Sequence, residues 1–251
     1  MLILVTNDDG VDAAGLSAAA EAMAALSEVF VVAPDGNRSA NSHALTLERP
    51  LRATELKPNW FSCDGTPADC VHLALNGLLR DRRPDLVLSG FNQGGNLGQD
   101  ITYSGTVMAA FEATLIGVPA LAASVDARGD FEFSGVAWAA TVVAREVLAH
   151  GLPRATLLNM NAPSLPPARL KGIRLTTQGQ RVYGDEIQER VDPRGKKYYW
   201  IAGQELGFEP IAGSDMVAVR EGYVSLTPLS CDMTDHKFLR EMAGRSWTGT
   251  T

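Results

Sequence analysis

Residues 2–10 read LILVTNDDG, an apolar run that changes directly into a polar and acidic turn. Every position from Leu2 to Val5 is apolar, as expected for a strand that is buried on both faces of a parallel sheet. Gly10 allows the backbone to turn sharply after the acidic residues. The stretch therefore predicts a buried parallel strand with a functional loop at its carboxyl end.

The first two-thirds of the chain alternate between strand-favouring and helix-favouring segments. The residues Thr66, Pro67 and Asp69 illustrate a helix start, with an N-cap, a proline at the first helical position and a capping-box acid. The predicted strands are 2–5, 29–33, 86–88, 118–123 and 156–160, and the predicted helices are 13–26, 66–79, 105–116 and 136–148. This alternation predicts an α/β fold with a mostly parallel sheet and helices on both faces.

The last third of the chain contains β-prone segments separated by turns that are rich in glycine, proline and charge. The predicted strands lie around residue 182 and at 198–201, 217–219 and 223–226, with Pro228 stopping the last one. We expect antiparallel hairpins appended to the core. The prediction is one domain over residues 1–251, with an α/β core over about 1–165 and a β-hairpin arm and tail over about 166–251.

Composition excludes several classes of partner. The 251 residues carry a formal net charge of −7, which argues against nucleic-acid polymers and anionic membranes as main partners. No segment approaches the length of a membrane span, and no basic region precedes the first apolar run, so no signal peptide is expected. The cysteines Cys63, Cys70 and Cys231 are odd in number and lack Cys-x-x-Cys spacing. Free thiols and a cytoplasmic location are therefore expected.

The acidic pair Asp8–Asp9 follows the first strand. Adjacent carboxylates repel each other unless a cation neutralises them, and two carboxylates without a nearby His or Cys favour a hard cation such as Mg²⁺ or Mn²⁺. The alternative is a polar turn in which an aspartate caps the next helix.

Two further loops are expected at the same edge of the sheet, because ligands bind at the carboxyl ends of parallel strands. Residues 37–43 read NRSANSH, in which Ser39 or Asn41 could supply a neutral oxygen to a cation. Residues 89–98 read SGFNQGGNLG, and a helix start at 103–106 follows, whose hydroxyl and N–H groups suit a phosphate. No Gly-Lys-Ser/Thr occurs, so this is not a P-loop.

Taken singly, each loop has an ordinary reading as a polar turn or a flexible glycine-rich segment before a capped helix. Taken together, the three loops predict metal-assisted hydrolysis of a phosphate ester. They bring an acidic pair, a hydroxyl-rich loop and a helix start suited to phosphate to the same edge of the sheet.

Several stretches resemble the SurE family, the stationary-phase survival protein nucleotidases. They occur in the family's order, at 5–10, 65–70, 89–96, 103–106, 192–200 and 222–234. The resemblance implies a Rossmann-like three-layer α/β/α core with a β-rich C-terminal arm that is exchanged between subunits in a homodimer or homotetramer. It also implies a 5′-nucleotidase, a phosphomonoesterase that acts on nucleoside 5′-monophosphates and also on 3′-monophosphates.

The resemblance also implies the site residues. One divalent cation per subunit, Mg²⁺ or Mn²⁺, is expected at Asp8, Asp9, Ser39 and Asn92. A phosphate site is expected at Asn96, Ser104, Gly105 and Thr106, and the catalytic residues would be Asp8, Asp9 and Asn96. In this view the carboxylates hold the cation and the hydroxyls of Ser104 and Thr106 hold phosphate oxygens, so the two roles are separate.

The remaining candidates have two readings each. His43, beside the expected site, either helps to protonate the leaving group or is only a polar neighbour. His72 and His150 are expected to be structural or helix-capping residues rather than ligands. Tyr199 and Trp200 either stack on a nucleobase or pack within the arm.

Three other classes of protein fit the sequence less well. Phosphatases that form an aspartyl-phosphate use Asp-x-Asp, whereas Asp8 and Asp9 are adjacent. A signalling receiver domain needs a lysine at a later strand end, and residues 122–124 read AAS. A dinucleotide-binding protein would carry Gly-x-Gly-x-x-Gly after the first strand, which is missing here.

Overall fold

The computed structural model describes residues 1–127, 129–184, 187–201, 205–245 and 247. The strands are β1 (Leu2–Thr6), β2 (Glu28–Pro34), β3 (Ala53–Lys57), β4 (Trp60–Cys63), β5 (Leu86–Gln93), β6 (Ala120–Asp126), β7 (Thr156–Pro163), β8 (Ile173–Leu175), β9 (Arg181–Tyr183), β10 (Ile187–Val191), β11 (Lys197–Ile201), β12 (Glu205–Phe208) and β13 (Val224–Ser230). The α-helices are α1 (Ala14–Ala24), α2 (Pro67–Leu73), α3 (Gly105–Leu115), α4 (Ser134–His150), α5 (Asp215–Arg220) and α6 (His236–Met242).

A nine-stranded sheet has the order β3-β4-β2-β1-β5-β6-β7-β13-β8. The six strands from β4 to β7 in this order pair in parallel, while β3 and β13 pair antiparallel with β4 and β7. The chain moves outward in one direction from β1 to β2 and in the other from β5 to β6. The topological switch point therefore lies between β1 and β5, where open α/β sheets bind ligands.

Two hydrophobic layers cover the sheet, and the alternation of β1 shows how they are filled. Ile3 and Val5 pack on one face with α1 and α4, whereas Leu2 and Leu4 pack on the other with α2 and α3. All four side chains are buried, as expected for the period of two in a doubly covered strand. The predicted three-layer α/β/α architecture is confirmed.

The predicted capping box at the start of α2 is present. The Asp69 N–H donates to Thr66 Oγ1 at 3.1 Å, and the Thr66 N–H donates to Asp69 Oδ2 at 2.9 Å. A cap of this kind contributes roughly 1 kcal/mol. The helix continues after Leu73 as a π-helical turn over Ala74–Leu78, close to the predicted end.

Two strands predicted in the last third of the chain differ from the structure. Residues 217–219, expected as a strand, lie in helix α5, because Ser214 caps this helix by accepting from the Val217 N–H. The strand expected to stop at Pro228 continues to Ser230 as β13. Its pairing with β8 ends at Leu226. Pro228 therefore lies beyond the paired part of β8, and its missing N–H removes no hydrogen bond to that strand.

Strands β8 and β13 complete the main sheet, so the hairpin prediction applies only to the pairs β10–β11 and β9–β12. All ten residues of β10 and β11 are exposed. This β10–β11 hairpin includes apolar side chains, among them Ile187, Trp200 and Ile201. No helix within the described residues is long and apolar enough to cross a membrane.

Candidate metal and phosphate site

The turn after β1 is built by Asn7. Its side-chain Nδ2 donates to the Gly10 carbonyl at 3.0 Å, and its Oδ1 accepts from the Gly10 N–H at 3.2 Å. Gly10 has a φ of 107°, and a Cβ at this position would lie 2.9 Å from the carbonyl carbon of Gly36. The turn therefore needs glycine, and it directs Asp8 and Asp9 to the switch point.

Asp8 lies against the N-terminus of α3. The hydroxyl of Thr106 donates to Asp8 Oδ1, and Asp8 is only 4% exposed. Gly105 permits this contact, because a Cβ there would lie 2.9 Å from Asp8 Cβ and 3.0 Å from Asp8 Oδ2. The first carboxylate therefore sits at the positive end of a helix dipole, which stabilises its ionised form.

Burial disfavours the ionised form of both carboxyl groups, against the effect of the helix dipole. Desolvation raises the pKa of Asp8, and the hydrogen bonds from Thr106 offset only part of that rise. Desolvation also raises the pKa of Asp9, with a further contribution from the neighbouring charge of Asp8. A buried and a half-buried carboxylate side by side are costly as anions, and a cation between them removes that cost. The pair therefore fits a divalent cation.

Backbone hydrogen bonds bring the two other predicted metal ligands to this pair. The Arg38 N–H donates to the Asp8 carbonyl at 2.7 Å, which puts Ser39 one residue away. The Gln93 N–H donates to Asp9 Oδ2 at 3.1 Å, which does the same for Asn92. Both residues are therefore held near the acidic pair by hydrogen bonds from the adjacent backbone N–H groups.

The donor atoms in this set are hard. The Asn92 Nδ2 donates to the Gly94 carbonyl at 2.7 Å, so its Oδ1 can face a cation. Within the part of the chain that the structure describes, no group of three or more His, Cys, Asp or Glu side chains could hold a metal ion. The candidate set thus consists of two carboxylates with neutral oxygens, which suits Mg²⁺ or Mn²⁺ better than a softer metal.

The predicted phosphate residues lie at the start of α3 and in the loop after β5. Ser104 is the N-cap of α3, and its Oγ accepts from the Val107 N–H at 3.1 Å, which leaves its hydroxyl proton for another acceptor. The sequence assigned the Thr106 hydroxyl to phosphate, but in the structure this hydroxyl donates to Asp8. Asn96 is 7% exposed, and its Nδ2 donates to Ser124 Oγ at 2.8 Å.

His43 belongs to a cluster that the sequence did not reveal. Its Nε2 lies 2.8 Å from Glu112 Oε2, and the Nδ1 of His72 lies 2.7 Å from Glu112 Oε1. Glu112 is buried in α3, and the hydrogen bonds from the two histidines lower its pKa. The cluster fastens the 37–46 loop, which carries Ser39, to two helices. His43 is therefore paired with the Glu112 carboxylate, a partner that could not be predicted from the sequence.

A second group of residues missed by the sequence supports the 94–98 loop. Asn159 and Asn161 of β7 both donate to the Asn96 carbonyl. Asp215, at the start of α5, accepts from the Gly98 N–H at 2.9 Å and from the Gly179 N–H at 2.8 Å. The available signal was the pair Asn159 and Asn161, since two asparagines are unusual in a strand that is otherwise mostly apolar and buried.

A cavity of about 320 Å³ opens beside Asp9. Its lining comes from residues 9–13, 35–37 and Gln93. A larger cavity of about 530 Å³ lies between residues 101–111 and β13, and none of the predicted metal or phosphate residues lines it. The smaller cavity is the one that meets the predicted site, since Asp9 lines it and Gln93 of β5 closes it at the switch point.

Fold and site together define an α/β protein of Rossmann-like topology with an acidic pair beside a helix N-terminus at the switch point. A family model described as "Survival protein SurE" matches residues 3–185. The chain belongs to the SurE family.

Individual relatives are similar over nearly their whole length. A protein named 5′-nucleotidase SurE from Syntrophotalea carbinolica is 54% identical, covering 94% of this chain and 94% of that protein. One of the same name from Geobacter sulfurreducens is 53% identical, covering 98% of this chain and 94% of that protein. The crystal structure of the SurE protein from Aquifex aeolicus superimposes with a TM-score of 0.88 at 43% identity, covering 96% and 98% of the two chains.

Proposed function

We propose that this protein is a metal-dependent phosphomonoesterase that hydrolyses nucleoside 5′-monophosphates, and also 3′-monophosphates, to a nucleoside and inorganic phosphate. The observation that carries the proposal is the contact of Asp8 with Thr106 and Gly105, which joins a carboxylate pair to a helix N-terminus. Full-length relatives that are about half identical and named 5′-nucleotidase support the choice of substrate.

One divalent cation per subunit, Mg²⁺ or Mn²⁺, is proposed at Asp8, Asp9, Ser39 and Asn92. When bound, such a cation supplies Lewis acidity toward the phosphoryl group and neutralises developing charge. The carboxylates of Asp8 and Asp9 anchor it, and the raised pKa values of both groups support this role.

The phosphate oxygens are proposed to face the hydroxyl of Ser104, the Gly105 N–H and the amide of Asn96. Ser104 can donate because its Oγ uses only a lone pair in capping α3. N–H groups and the dipole at a helix start stabilise a phosphoryl group as negative charge builds up in the transition state. The cavity beside Asp9 offers space for the leaving nucleoside.

We further propose a homodimer or homotetramer formed by exchange of the C-terminal arm. The exposed apolar side chains of the β10–β11 hairpin support this, since an isolated two-stranded hairpin is marginally stable in water. A cytoplasmic location is also a proposal, supported by three cysteines that are all free.

A substrate panel tests the proposed reaction. Purified protein with Mn²⁺ is given 5′- and 3′-monophosphates of the common nucleosides, a nucleoside triphosphate and a phosphodiester, and released inorganic phosphate is measured. We expect kcat/KM to be highest for the monophosphates. Equal or faster hydrolysis of the diester, or no release from any monophosphate, would contradict the proposal.

A further inference from the structure

A row of polar side chains crosses the sheet near the carboxyl ends of its parallel strands. Asn92 is the register partner of Ser124, Ser124 of Asn161, and Asn161 of Ser225, over strands β5, β6, β7 and β13. Ser124, Asn161 and Ser225 are fully buried. Cross-strand partners share a face of the sheet, and buried polar groups are costly unless they are hydrogen-bonded. The row therefore needs a partner.

That partner is Asn96. Asn161 accepts from the Asn96 N–H at 2.7 Å and donates to the Asn96 carbonyl at 3.1 Å. Asn159 also donates to this carbonyl, at 2.9 Å, and Ser124 Oγ accepts from Asn96 Nδ2 at 2.8 Å. The backbone and the side-chain amide of Asn96 are thus both fixed by side chains of strands that are distant in sequence.

The two sets of hydrogen bonds restrict different parts of Asn96, its backbone and its side-chain amide. The bonds from Asn161 and Asn159 hold the peptide units on either side of Asn96 as a neighbouring strand would. The bond to Ser124 fixes the rotation of the Asn96 amide, because it occupies one N–H and leaves the other N–H and the Oδ1 in set directions. Preorganised donors of this kind lower the cost of binding an anion.

We propose that Ser124 and Asn161 are positioning residues for Asn96, with Ser124 orienting its amide and Asn161 holding its backbone. The inference rests on the proposed function, in which Asn96 faces the phosphate oxygens. It adds two residues that touch neither the cation nor the substrate and act through Asn96.

The test compares Ser124→Ala with Ser225→Ala. Both changes delete a fully buried hydroxyl from the same polar row, but only Ser124 contacts Asn96, since the Ser225 Oγ donates weakly to the Asn161 carbonyl at 3.4 Å. Inhibition by inorganic phosphate, the KM for a nucleoside 5′-monophosphate and the Mn²⁺ titration of activity are measured for both. We expect Ser124→Ala to raise the phosphate inhibition constant and KM roughly three- to tenfold, as for one lost hydrogen bond, with an unchanged Mn²⁺ titration.

Two further measurements keep the outcome decisive. Ser124→Cys keeps the shape of the side chain with a slightly larger and weaker acceptor, so it leaves no cavity and should show the same phosphate defect even if Ser124→Ala folds poorly. Calorimetric binding of inorganic phosphate needs no turnover, so it tests positioning even if no monophosphate is hydrolysed and the proposed function fails. The inference is wrong if Ser124→Ala binds phosphate as tightly as Ser225→Ala does. It is also wrong if the Mn²⁺ titration of Ser124→Ala shifts by the same factor as its phosphate affinity, or if the wild type binds no phosphate.

Discussion

The hydroxyl of Thr106 donates to Oδ1 of Asp8, and this bond joins the start of α3 to the acidic pair. Thr106 is fully buried and Asp8 nearly so, so water does not compete for the contact. A threonine that the sequence assigned to the phosphate site therefore orients a predicted ligand of the cation. The proposed cation and phosphate sites are therefore predicted to be coupled.

This coupling predicts that Thr106→Ala weakens the cation site. Loss of the hydrogen bond frees the Asp8 carboxylate, and the Mn²⁺ concentration for half-maximal activity should rise roughly three- to tenfold. Thr106→Ser keeps the hydroxyl and should retain most of the wild-type affinity. A metal titration of activity for the three proteins is the measurement, and coincident curves for Thr106→Ala and wild type would refute the coupling.

Gly105 is predicted to be required for the position of Asp8. A Cβ at residue 105 would lie 2.9 Å from Asp8 Cβ, whereas a Cβ at Gly244, after α6, would meet nothing within 4 Å. Gly105→Ala should therefore lower kcat/KM by at least about tenfold, as a displaced catalytic group does, and Gly244→Ala should have little effect. The comparison fails if both variants retain wild-type kcat/KM, measured by phosphate release.

Glu112 is predicted to make stability depend on pH. Its pKa is held below the ordinary value by His43 and His72, so its ionised form favours folding. That contribution is fully present above the ordinary pKa of a glutamate and is lost as the pH falls through the lowered pKa. Between about pH 5 and about pH 3, wild-type Tm should therefore fall more steeply than that of Glu112→Gln.

Glu146→Gln provides the control for this experiment. Glu146 faces His150 at 3.6 Å, but both side chains are about three-quarters exposed, and exposed pairs contribute little. Its Tm should follow that of wild type at every pH. Parallel Tm curves for Glu112→Gln and wild type would show that the cluster has no pH-dependent role.

The β10–β11 hairpin is predicted to form a contact between subunits. Trp200 is 61% exposed within one chain, so Trp200→Glu should shift the particle measured by light scattering toward a smaller mass. Leu56→Glu, on the exposed strand β3, places the same charge at another exposed apolar residue and should leave the mass unchanged. A wild-type protein that is monomeric at micromolar concentration would contradict the proposed arm exchange.

The α/β core could be predicted well, because the hydrophobic period of strands and helices and the residues that start and stop them are local signals. The run from Leu2 to Gly10 indicates a buried strand and its turn, and Thr66 with Asp69 indicates a helix start. The position of Asp8 and Asp9 at the sheet edge followed from the rule for parallel sheets. These features needed no knowledge of distant contacts.

What the sequence missed depends on partners far along the chain. Glu112 meets histidines that lie 69 and 40 residues away, and Asn161 meets Asn96 across 65 residues. Helix α5 was missed for a different reason. The β-branched residues at 217 and 219 outweighed the helix start at Ser214 and Asp215, which was the local signal available.

The central claim, a cation at the acidic pair that hydrolysis requires, is tested most directly by phosphate release from a nucleoside 5′-monophosphate before and after chelation. The wild type should lose activity with chelator and regain it with Mn²⁺ or Mg²⁺. Asp9→Asn should keep a Tm close to that of wild type and lose most turnover even at saturating Mn²⁺, because the amide removes one anionic ligand. Full activity after exhaustive chelation, or wild-type turnover in Asp9→Asn, would contradict the account.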